Sequence, residues 1–482
     1  MTAPPVSRPR PVFRMLRFGH PFLFAGFPIL SLYSVNTDSV SASELVLPLL
    51  IAWLMVGALV VALLALTRDG QKAALIATLS AVMFWGFNYA HGGVALLLGR
   101  ATVSKIYTLP PWLLSLIAGG VLIARTRRNL RSTGALLVRV SLAMTVIPLV
   151  AAAASTWSPS VARSSRSPTA VGAGATADAL PYGKPDIYFI ILDGYARADV
   201  LAEIYGLHDP LPGDLRRLGF YVADRGMANY NFTALSVPSM LNFDYIQNLL
   251  ESGGDNARDK PALTRLCRQN AFIETLKGYG YRFVAFASGV HFTSFKDADH
   301  YVDAGGALSE FQIALLNRTP TYWPVTKLLR LVQEPYRAHR RRILEVFDAL
   351  PALADDPAPT VVFAHLLAPH QPFVFGARGE DVSPHGREYS LTNGSPEGFP
   401  CQQGQRNPHY VAAFRDQTRF IGRRVAEVVT EILDRSPHPP IIILVSDHGP
   451  DSAWPHTDLR ERFAHLGAYF LPGGGADALY PS

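Results

Sequence analysis

The chain has 482 residues, which is too long for one ordinary domain and predicts two or three folded units. Apolar residues make up 49% of the chain and charged residues 17%, a balance that is typical of membrane proteins and argues against disorder. The net charge of +6 does not indicate a nucleic-acid partner, because residues 1–154 hold 13 Lys/Arg against 3 Asp/Glu whereas the remainder holds 31 against 35.

Five apolar stretches precede residue 155 and predict a membrane anchor. A helix needs about 20 residues to cross the hydrocarbon core of a bilayer. The second and fifth stretches meet this length, whereas the first and fourth are short and the fifth contains Arg139. We expect five transmembrane helices, at about 19–34, 45–66, 73–90, 110–124 and 135–154.

The basic residues around these stretches predict the orientation of the anchor, since Lys and Arg concentrate in cytoplasmic connections. They precede the first stretch and crowd the fourth connection, at Arg8, Arg10, Arg14, Arg17, Arg125, Arg127, Arg128 and Arg131. Arg100 and Lys105 in the third loop run against the rule. A cytoplasmic N-terminus and five crossings place everything after residue 155 outside. We therefore expect a multi-pass protein of a bacterial inner membrane whose second half is periplasmic or extracellular.

The remainder of the chain predicts a tether followed by a folded domain. Residues 155–184 are rich in Ser, Ala, Pro and Gly, a composition typical of flexible linkers. From 185 to 482, short Ile-, Val- and Phe-rich runs alternate with amphipathic segments, as expected of parallel strands covered on both faces. This order predicts an α/β domain with a doubly wound, mostly parallel sheet. Its strands are expected at 186–192, 281–287, 360–366 and 440–446, and its helices at 262–278, 337–350 and 410–434.

Three of the four predicted strands end beside residues that can bind a metal. Asp193 follows the first strand, and Asp447 and His448 follow the last. The strand at 360–366 contains His365, and His370 comes soon after it. In open α/β sheets ligands bind at the carboxyl ends of the strands, and Asp and His suit Zn, Mn or Mg. We expect one divalent metal ion there; a simple turn with a capping Asp is the alternative.

Thr233 is the candidate nucleophile, because it begins a segment with helical periodicity after the first strand. A hydroxyl at a helix N-terminus is most often an N-cap, and that alternative stays open from the residues alone. The same position offers backbone N–H groups to a phosphate. Coordination of the hydroxyl to a metal would lower its pKa and activate it as a nucleophile.

Four motifs of the second half are TALSVPSML at 233–241, Asp193 followed by ARAD at 196–199, PHQPF at 369–373 and SDHG at 446–449. Together they resemble membrane phosphoethanolamine transferases, which belong to the alkaline phosphatase and sulfatase superfamily. Lipoteichoic acid synthases, another branch, share a five-helix anchor with an external catalytic domain. The resemblance implies that Thr233 attacks phosphorus and carries the covalent intermediate. It further implies metal ligation by Asp193, Thr233, Asp447 and His448, with His370 on the substrate side.

The sequence also departs from that family. The family usually has Glu where Asp193 stands. No His after the DHG motif has convincing spacing for a second metal site, although His456 and His465 are candidates. The chain ends where domains of this superfamily normally continue, so the C-terminal edge is expected to be missing or divergent. Ser236 begins a near match to the formylglycine motif of sulfatases, but Met240 stands where that motif requires Arg.

The motifs and the anchor predict transfer of a phospho-headgroup, phosphoethanolamine or phosphoglycerol, from a membrane phospholipid to an extracytoplasmic acceptor. That acceptor can be a glycan, a lipid or water. The alternatives are a phosphodiesterase, phosphatase or sulfatase-type hydrolase on the same site, or an inactive domain that binds envelope polymers. Cys267 and Cys401 can form a disulfide if this half is exported, or remain unpaired core thiols.

Overall fold

The computed structural model describes residues 18–37, 40–99, 103–156, 183–250, 260–306, 308–321, 334–382, 405–453, 457–473 and 475–479. The chain divides into two compact units. The first unit is Met1–Pro159 with Ala307–Val332, and the second is Ser160–Gly306 with Gln333–Ser482. Among the described residues, 308–321 group with the N-terminal helices.

The first unit contains all five predicted N-terminal helices. Four of them, with the short 3-10 turn Ala42–Leu45 that precedes one, are long and apolar enough to cross a membrane. The first has only 15 residues, about 22 Å of rise against a hydrocarbon core of about 30 Å. The prediction of five spans is therefore supported by length in four of the described helices. The helices are α1 His20–Ser34, α2 Val46–Thr67, α3 Gly70–Leu97, α4 Lys105–Arg125 and α5 Arg131–Thr156.

The second unit is built on a seven-stranded sheet with the order β2-β7-β6-β1-β5-β3-β4. The four predicted strands are neighbours at its centre and run parallel, while β7 runs antiparallel to β6 and β2. The strands are β1 Ile187–Leu192, β2 Tyr221–Val222, β3 Arg282–Phe286, β4 His300–Val302, β5 Thr360–Leu366, β6 Ile441–Val445 and β7 Gly467–Phe470.

Strand β1 shows why this sheet is covered on both faces. All six of its residues are buried. Tyr188, Ile190 and Leu192 belong to one apolar cluster, whereas Ile187, Phe189 and Ile191 belong to another. Successive side chains of a strand point to opposite faces, so the two clusters lie on the two sides of the sheet. The predicted doubly wound, mostly parallel α/β fold is confirmed.

Helices connect the strands and follow them along the chain. They are α6 Ala198–Tyr205, α7 Leu211–Arg217, α8 Thr233–Asn242, α9 Ile246–Leu249, α10 Lys260–Arg268, α11 Ala271–Gly278, α12 Glu310–Asn317, α13 Glu334–Ala349, α14 Pro408–Arg435 and α15 Leu459–Phe463. All except α12 belong to the second unit.

Two local differences from the predicted elements have physical causes. The single helix expected at 262–278 is two helices, because the Asn270 side chain accepts a hydrogen bond from the Ile273 backbone N–H and so caps the start of α11. The strands β2, β4 and β7 were not predicted, since two to four residues are too few to show a periodicity.

The predicted linker and disulfide fall largely outside the described residues. Helix α5 continues to Thr156, and 157–182 are not among the residues the structure describes. Cys401 also lies outside them. Cys267 is buried in the same apolar cluster as Phe189, and burial raises the pKa of its thiol.

Substitution of a central strand residue tests this core. Phe363 on β5 is fully buried, and its ring centroid lies 4.9 Å from that of Phe295. We expect Phe363→Ala to lower the unfolding temperature of the second unit, because such a cavity costs about 3–5 kcal/mol. Thermal unfolding of the full chain in detergent measures the shift. Tyr279→Ala, at a 52% exposed position, is the control, and equal shifts for both variants would contradict this core.

Candidate metal and nucleophile site

The site residues lie at the carboxyl ends of three adjacent parallel strands. Strand β1 pairs with β6 on one side and with β5 on the other. Asp193 directly follows β1, and Asp447 and His448 come just after β6. Strand β5 carries His365 as its second-to-last residue, and the segment after this strand carries His370. Residues that are far apart in sequence are thereby brought to one edge of the sheet.

Asp193 and Gly194 connect the three strand ends through backbone hydrogen bonds. The Asp193 N–H donates to the Leu366 carbonyl at 2.9 Å, and the His370 N–H donates to the Asp193 carbonyl at 2.8 Å. The Gly194 N–H donates to Asp447 Oδ1 at 3.2 Å. Gly194 has a φ of +74°, and a Cβ there would lie 3.3 Å from the His370 Cβ. Glycine is therefore required by both conformation and space.

The turn after β6 allows adjacent residues to face the same point. The Ser446 hydroxyl accepts from the Tyr195 N–H at 2.9 Å and donates to the His448 carbonyl at 2.6 Å. A Cβ on Gly449 would lie 1.9 Å from the Glu461 carbonyl oxygen, so only glycine permits this approach. The chain therefore turns directly after β6, and Asp447 and His448 can both face the site.

The hydrogen bonds of His448 define which of its ring nitrogens faces the site. Its Nδ1 lies 2.9 Å from the Gly449 carbonyl, which can only accept, so Nδ1 carries the proton. Burial lowers the pKa of His448, which favours the neutral ring. Nε2 then presents a lone pair 3.4 Å from Asp447 Oδ2 and 3.8 Å from Asp193 Oδ1. Three acceptors face one another with no proton between them.

His365 adds a fourth potential ligand, which the sequence placed on a strand but did not assign to the metal. Its Nδ1 lies 2.9 Å from the Thr293 hydroxyl, and its Nε2 lies 3.3 Å from Asp193 Oδ2. Its position near the end of a predicted strand was the signal for such a role. Which strand lies beside β1 cannot be read from the sequence.

Buried polar atoms without hydrogen bonds provide a test of whether these residues fit a cation. Within the described part of the chain, these atoms include Asp193 Oδ1, Asp447 Oδ2 and His365 Nε2. A buried acceptor without a partner is costly. Burial alone would raise the pKa of Asp193, but His370 and other nearby histidines hold it below its ordinary value. An ionised carboxylate whose oxygen is buried without a hydrogen-bond partner needs a positive partner.

The geometry supplies two overlapping groups that suit such a partner. One comprises Asp193, His370 and His448, and the other Asp193, His365 and Asp447. In each group the ligand atoms lie within 4.8 Å of one another. Two carboxylates at that separation repel by roughly 3–4 kcal/mol at an effective dielectric constant of 20, and a divalent cation reverses the sign. Carboxylate oxygen and imidazole nitrogen are common ligands of such ions, and the residues fit one.

The candidates for a second metal site are not among these groups. His456 lies outside the described residues. His465 forms an isolated bridge with Ala196 and, among the described residues, belongs to neither ligand group. Burial lowers the pKa of His465 to about 4, so its ring is neutral. Among the described residues, neither sequence candidate for a second metal site joins a ligand group, in keeping with the expectation of one ion.

Thr233 is the first residue of α8 and does not serve as its N-cap. The N-cap is Phe232, and no side chain caps this helix end. The Thr233 hydroxyl instead lies 3.2 Å from His448 Nε2. The proposed nucleophile is thus adjacent to the ligand groups, at the N-terminal end of a ten-residue helix. The N-cap alternative from the sequence is not what the structure shows.

Ser236, the residue that the sulfatase motif would select, has a different environment. It is buried, and its hydroxyl donates to the Tyr230 carbonyl at 2.9 Å. The Ser236 hydroxyl therefore joins α8 to the loop before it and does not face the ligand groups. This contrast favours Thr233 as the residue that faces the ligand groups.

His370 belongs to one of the two ligand groups, together with Asp193 and His448. Its Nδ1 hydrogen-bonds to the Gln371 carbonyl, and its ring centroid lies 5.8 Å from that of His448. The Gln417 amide donates to the His370 carbonyl at 3.1 Å and holds this segment against α14. The substrate-side position expected from the sequence is compatible with this location.

Arg462 was not predicted and joins the two segments that carry the site. Its guanidinium donates to the Gly449 carbonyl at 2.7 Å and also to the Asn231 carbonyl. Gly449 follows His448, and Asn231 lies two residues before Thr233. Arg462 is almost fully buried, so its guanidinium hydrogen-bonds to these backbone carbonyls instead of to water. Arg462 belongs to no recognisable sequence motif, so the sequence did not indicate that it joins these two segments.

Metal removal tests the ligand groups. We expect chelation to lower the unfolding temperature of the protein, because a bound ion stabilises by about 3 kcal/mol at 100 times its dissociation constant and its loss leaves buried carboxylates unneutralised. Differential scanning fluorimetry with and without chelator measures the shift. The double variant Asp193→Asn/Asp447→Asn should lose the response, while Asp199→Asn, outside both groups, should keep it. A response preserved in the double variant would contradict the assignment.

Substitution of Arg462 tests its effect on the site. We expect Arg462→Met to weaken metal affinity by about tenfold or more, because second-shell changes have effects of that size and the Gly449 carbonyl also orients His448. Metal titration of the stripped protein measures the affinity. Arg460→Met, whose side chain pairs with Asp199 and Glu203 at the surface, is the matched control. Unchanged affinity in Arg462→Met would rule out the proposed support.

No family model matches the sequence, and no curated protein matches it. Similar solved structures include the integral membrane lipooligosaccharide phosphoethanolamine transferase A from Neisseria meningitidis, 12% identical over 96% of this chain and 89% of its own, with a TM-score of 0.39. The C-terminal periplasmic domain of EcEptC from Escherichia coli, in complex with Zn, is 14% identical over 61% of this chain and 74% of its own, with a TM-score of 0.39. A 2-O GAG sulfatase is 14% identical over 60% and 65%, with a TM-score of 0.35. Phosphoethanolamine transferases and sulfatases are thus both among the solved structures similar to this chain.

Proposed function

We propose that this protein transfers a phospho-headgroup, phosphoethanolamine or phosphoglycerol, from a membrane phospholipid to an extracytoplasmic acceptor through a phospho-Thr233 intermediate. The observation that carries the proposal is the Thr233 hydroxyl, 3.2 Å from His448 Nε2 and beside two groups of potential metal ligands. The motifs around Asp193, Thr233 and Asp447 support the same assignment.

The helix start at Thr233 supports binding of a phosphate as well as attack on it. Backbone N–H groups of the first turn of α8 are not used by a capping side chain, and the positive end of a helix favours an anion. Asp193, Asp447 and His448 would hold a divalent cation, with His365 alongside. Such an ion, when bound, polarises a phosphoryl oxygen and lowers the pKa of a nearby hydroxyl.

Transfer then takes two substitutions at phosphorus. In the first, Thr233 Oγ1 bonds to the phosphorus of the donor lipid, the bond from phosphorus to the diacylglycerol oxygen breaks, and the Thr233 proton is lost. The diacylglycerol oxygen gains a proton as it leaves. In the second, an acceptor hydroxyl attacks the phospho-threonine, loses its proton and releases Thr233 as a hydroxyl. Splitting one transfer into two displacements is the usual advantage of a covalent intermediate.

His370 is the proposed proton donor to the leaving oxygen, or a ligand of the phosphate. Its ring lies beside that of His448, and one of its nitrogens belongs to a ligand group with Asp193. Its Nδ1 is directed to the Gln371 carbonyl, which leaves Nε2 for exchange with substrate. A histidine held in this way can act in general acid–base catalysis.

The anchor supports a lipid as the donor. Four of the described N-terminal helices are long and apolar enough to cross a bilayer. Such helices confine the chain to a membrane and raise the local concentration of lipid headgroups around it. The basic connections of the sequence support an outward-facing catalytic unit, in the periplasm or outside the cell.

The nucleophile assignment is tested by substitution. We expect Thr233→Ala to abolish headgroup transfer and labelling of the protein by the donor while leaving metal content unchanged, because the ion keeps its Asp and His ligands. Full-length protein in vesicles with labelled phosphatidylethanolamine or phosphatidylglycerol provides the assay, and mass spectrometry identifies the adduct. Ser236→Ala, three residues along the same helix, is the matched control. Full activity in Thr233→Ala, or its loss only in Ser236→Ala, would refute the assignment.

The same labelled vesicles distinguish transfer from hydrolysis. Label that moves from phospho-Thr233 to a glycan or lipid supports a transferase, whereas release as free phosphoethanolamine or glycerol phosphate makes water the acceptor. A protein that binds neither metal nor donor would instead support an inactive polymer-binding domain. The outcome therefore separates the three functions expected from the sequence.

A further inference from the structure

Helix α12 lies between strands and helices of the second unit in the sequence, but it folds with the first unit. In chain order it follows β4, which ends at Val302, and precedes α13, which begins at Glu334. Its bounds, Glu310–Asn317, fall within the segment that groups with the anchor helices. The chain therefore returns to the anchor after it has entered the sheet.

Apolar side chains attach α12 to the anchor. Phe311 and Leu315 are each 5% exposed and form a cluster with Ile29 and Leu32 of α1. Phe311, Ala314 and Leu315 have the spacing of one helix face. Partly buried residues complete the cluster, among them Tyr33 of α1, Leu45 and Leu49 at the start of α2, and Trp85 of α3.

Polar contacts fix both ends of α12. Ser309 and Gln312 form a reciprocal capping box at its start. At its other end, the Asn88 side-chain amide of α3 donates to the Asn317 carbonyl, a group that the helix itself leaves without a partner. The helix is therefore formed and docked rather than merely adjacent to the anchor.

The position of α12 along the anchor can be derived from the directions of the helices. His20, Gln71 and Arg131, at the starts of α1, α3 and α5, line one small cavity, so these three helices begin at the same end. Ile29 and Leu32 lie in the last part of α1, and Trp85 and Asn88 in the second half of α3. Helix α12 thus docks toward the end of the anchor at which α5 finishes at Thr156.

We propose that α12 is a second attachment of the catalytic unit to its membrane anchor, in addition to the chain connection through 157–182. Both attachments start from the same end of the anchor. The sheet unit is consequently held at the membrane by noncovalent packing of α12, even when the covalent connection at 157–182 is cut. This inference depends on packing within the first unit and is independent of the proposed chemistry.

The test uses the full chain in membrane vesicles, with a specific protease site inserted within 157–182. After cleavage, we expect the second unit to sediment with the vesicles. In Phe311→Asp/Leu315→Asp, cleavage should move most of it to the supernatant, because a charge cannot be buried in this apolar contact. Tyr279→Asp/Leu459→Asp adds the same charges at positions 52% and 70% exposed and should behave like the parent.

In a second variant, 308–321 are replaced by a Gly-Ser segment of equal length. This variant tests whether release in the Asp variant comes from loss of the α12 contact or from misfolding of the second unit. It should also release the second unit, whose unfolding temperature should match that of the parent. Release of the parent protein's second unit on cleavage would overturn the proposal. Retention of both α12 variants would overturn it equally, since some other contact would then hold the unit. Headgroup transfer is not measured, so failure of the proposed function leaves this result unaffected.

Discussion

The two peptide groups at Asp193 and Gly194 are the constraint on which the site depends. One N–H binds the end of β5, one carbonyl binds the His370 backbone, and the next N–H binds the Asp447 carboxylate. The end of β1 is thereby joined to the segments that follow both neighbouring strands. Gly194 permits this because its φ of +74° is disfavoured for other residues and a Cβ there would lie in tight contact with His370. These backbone hydrogen bonds fix the positions from which the potential ligand side chains extend.

Because the carboxylates of this site are buried, they require a positively charged partner. Asp193 and Asp447 are almost completely excluded from solvent, and His448 presents a lone pair to them because its proton is directed to the Gly449 carbonyl. Water cannot neutralise the resulting cluster of acceptors, and ionised carboxylates in such a place require a cation or a proton. The positions of the ligand atoms and the burial of the carboxylates therefore both favour a divalent cation at this site.

Residues outside the motifs hold this arrangement together. Arg462 binds the backbone of the segments on either side of the site, and the Gln417 amide supports the His370 loop from α14. Neither residue has a sequence signature, because a hydrogen bond to a carbonyl can be donated by many side chains. His365 was visible as a residue near a strand end, yet its place beside Asp193 depended on the order of the strands. Helix α12 is likewise a short, largely apolar segment whose sequence does not say which surface it covers.

The sequence by itself determined the anchor, the α/β class, the four central strands and the residues at their ends, because these depend on local hydrophobic pattern and on the polarity of parallel strands. It also identified Thr233, although only as one of two interpretations. Tertiary structure decided that its hydroxyl faces His448 rather than capping α8, that His365 joins the ligands and that α12 returns to the anchor. These outcomes depend on strand order and on packing between distant segments, and neither has a local signal in the sequence.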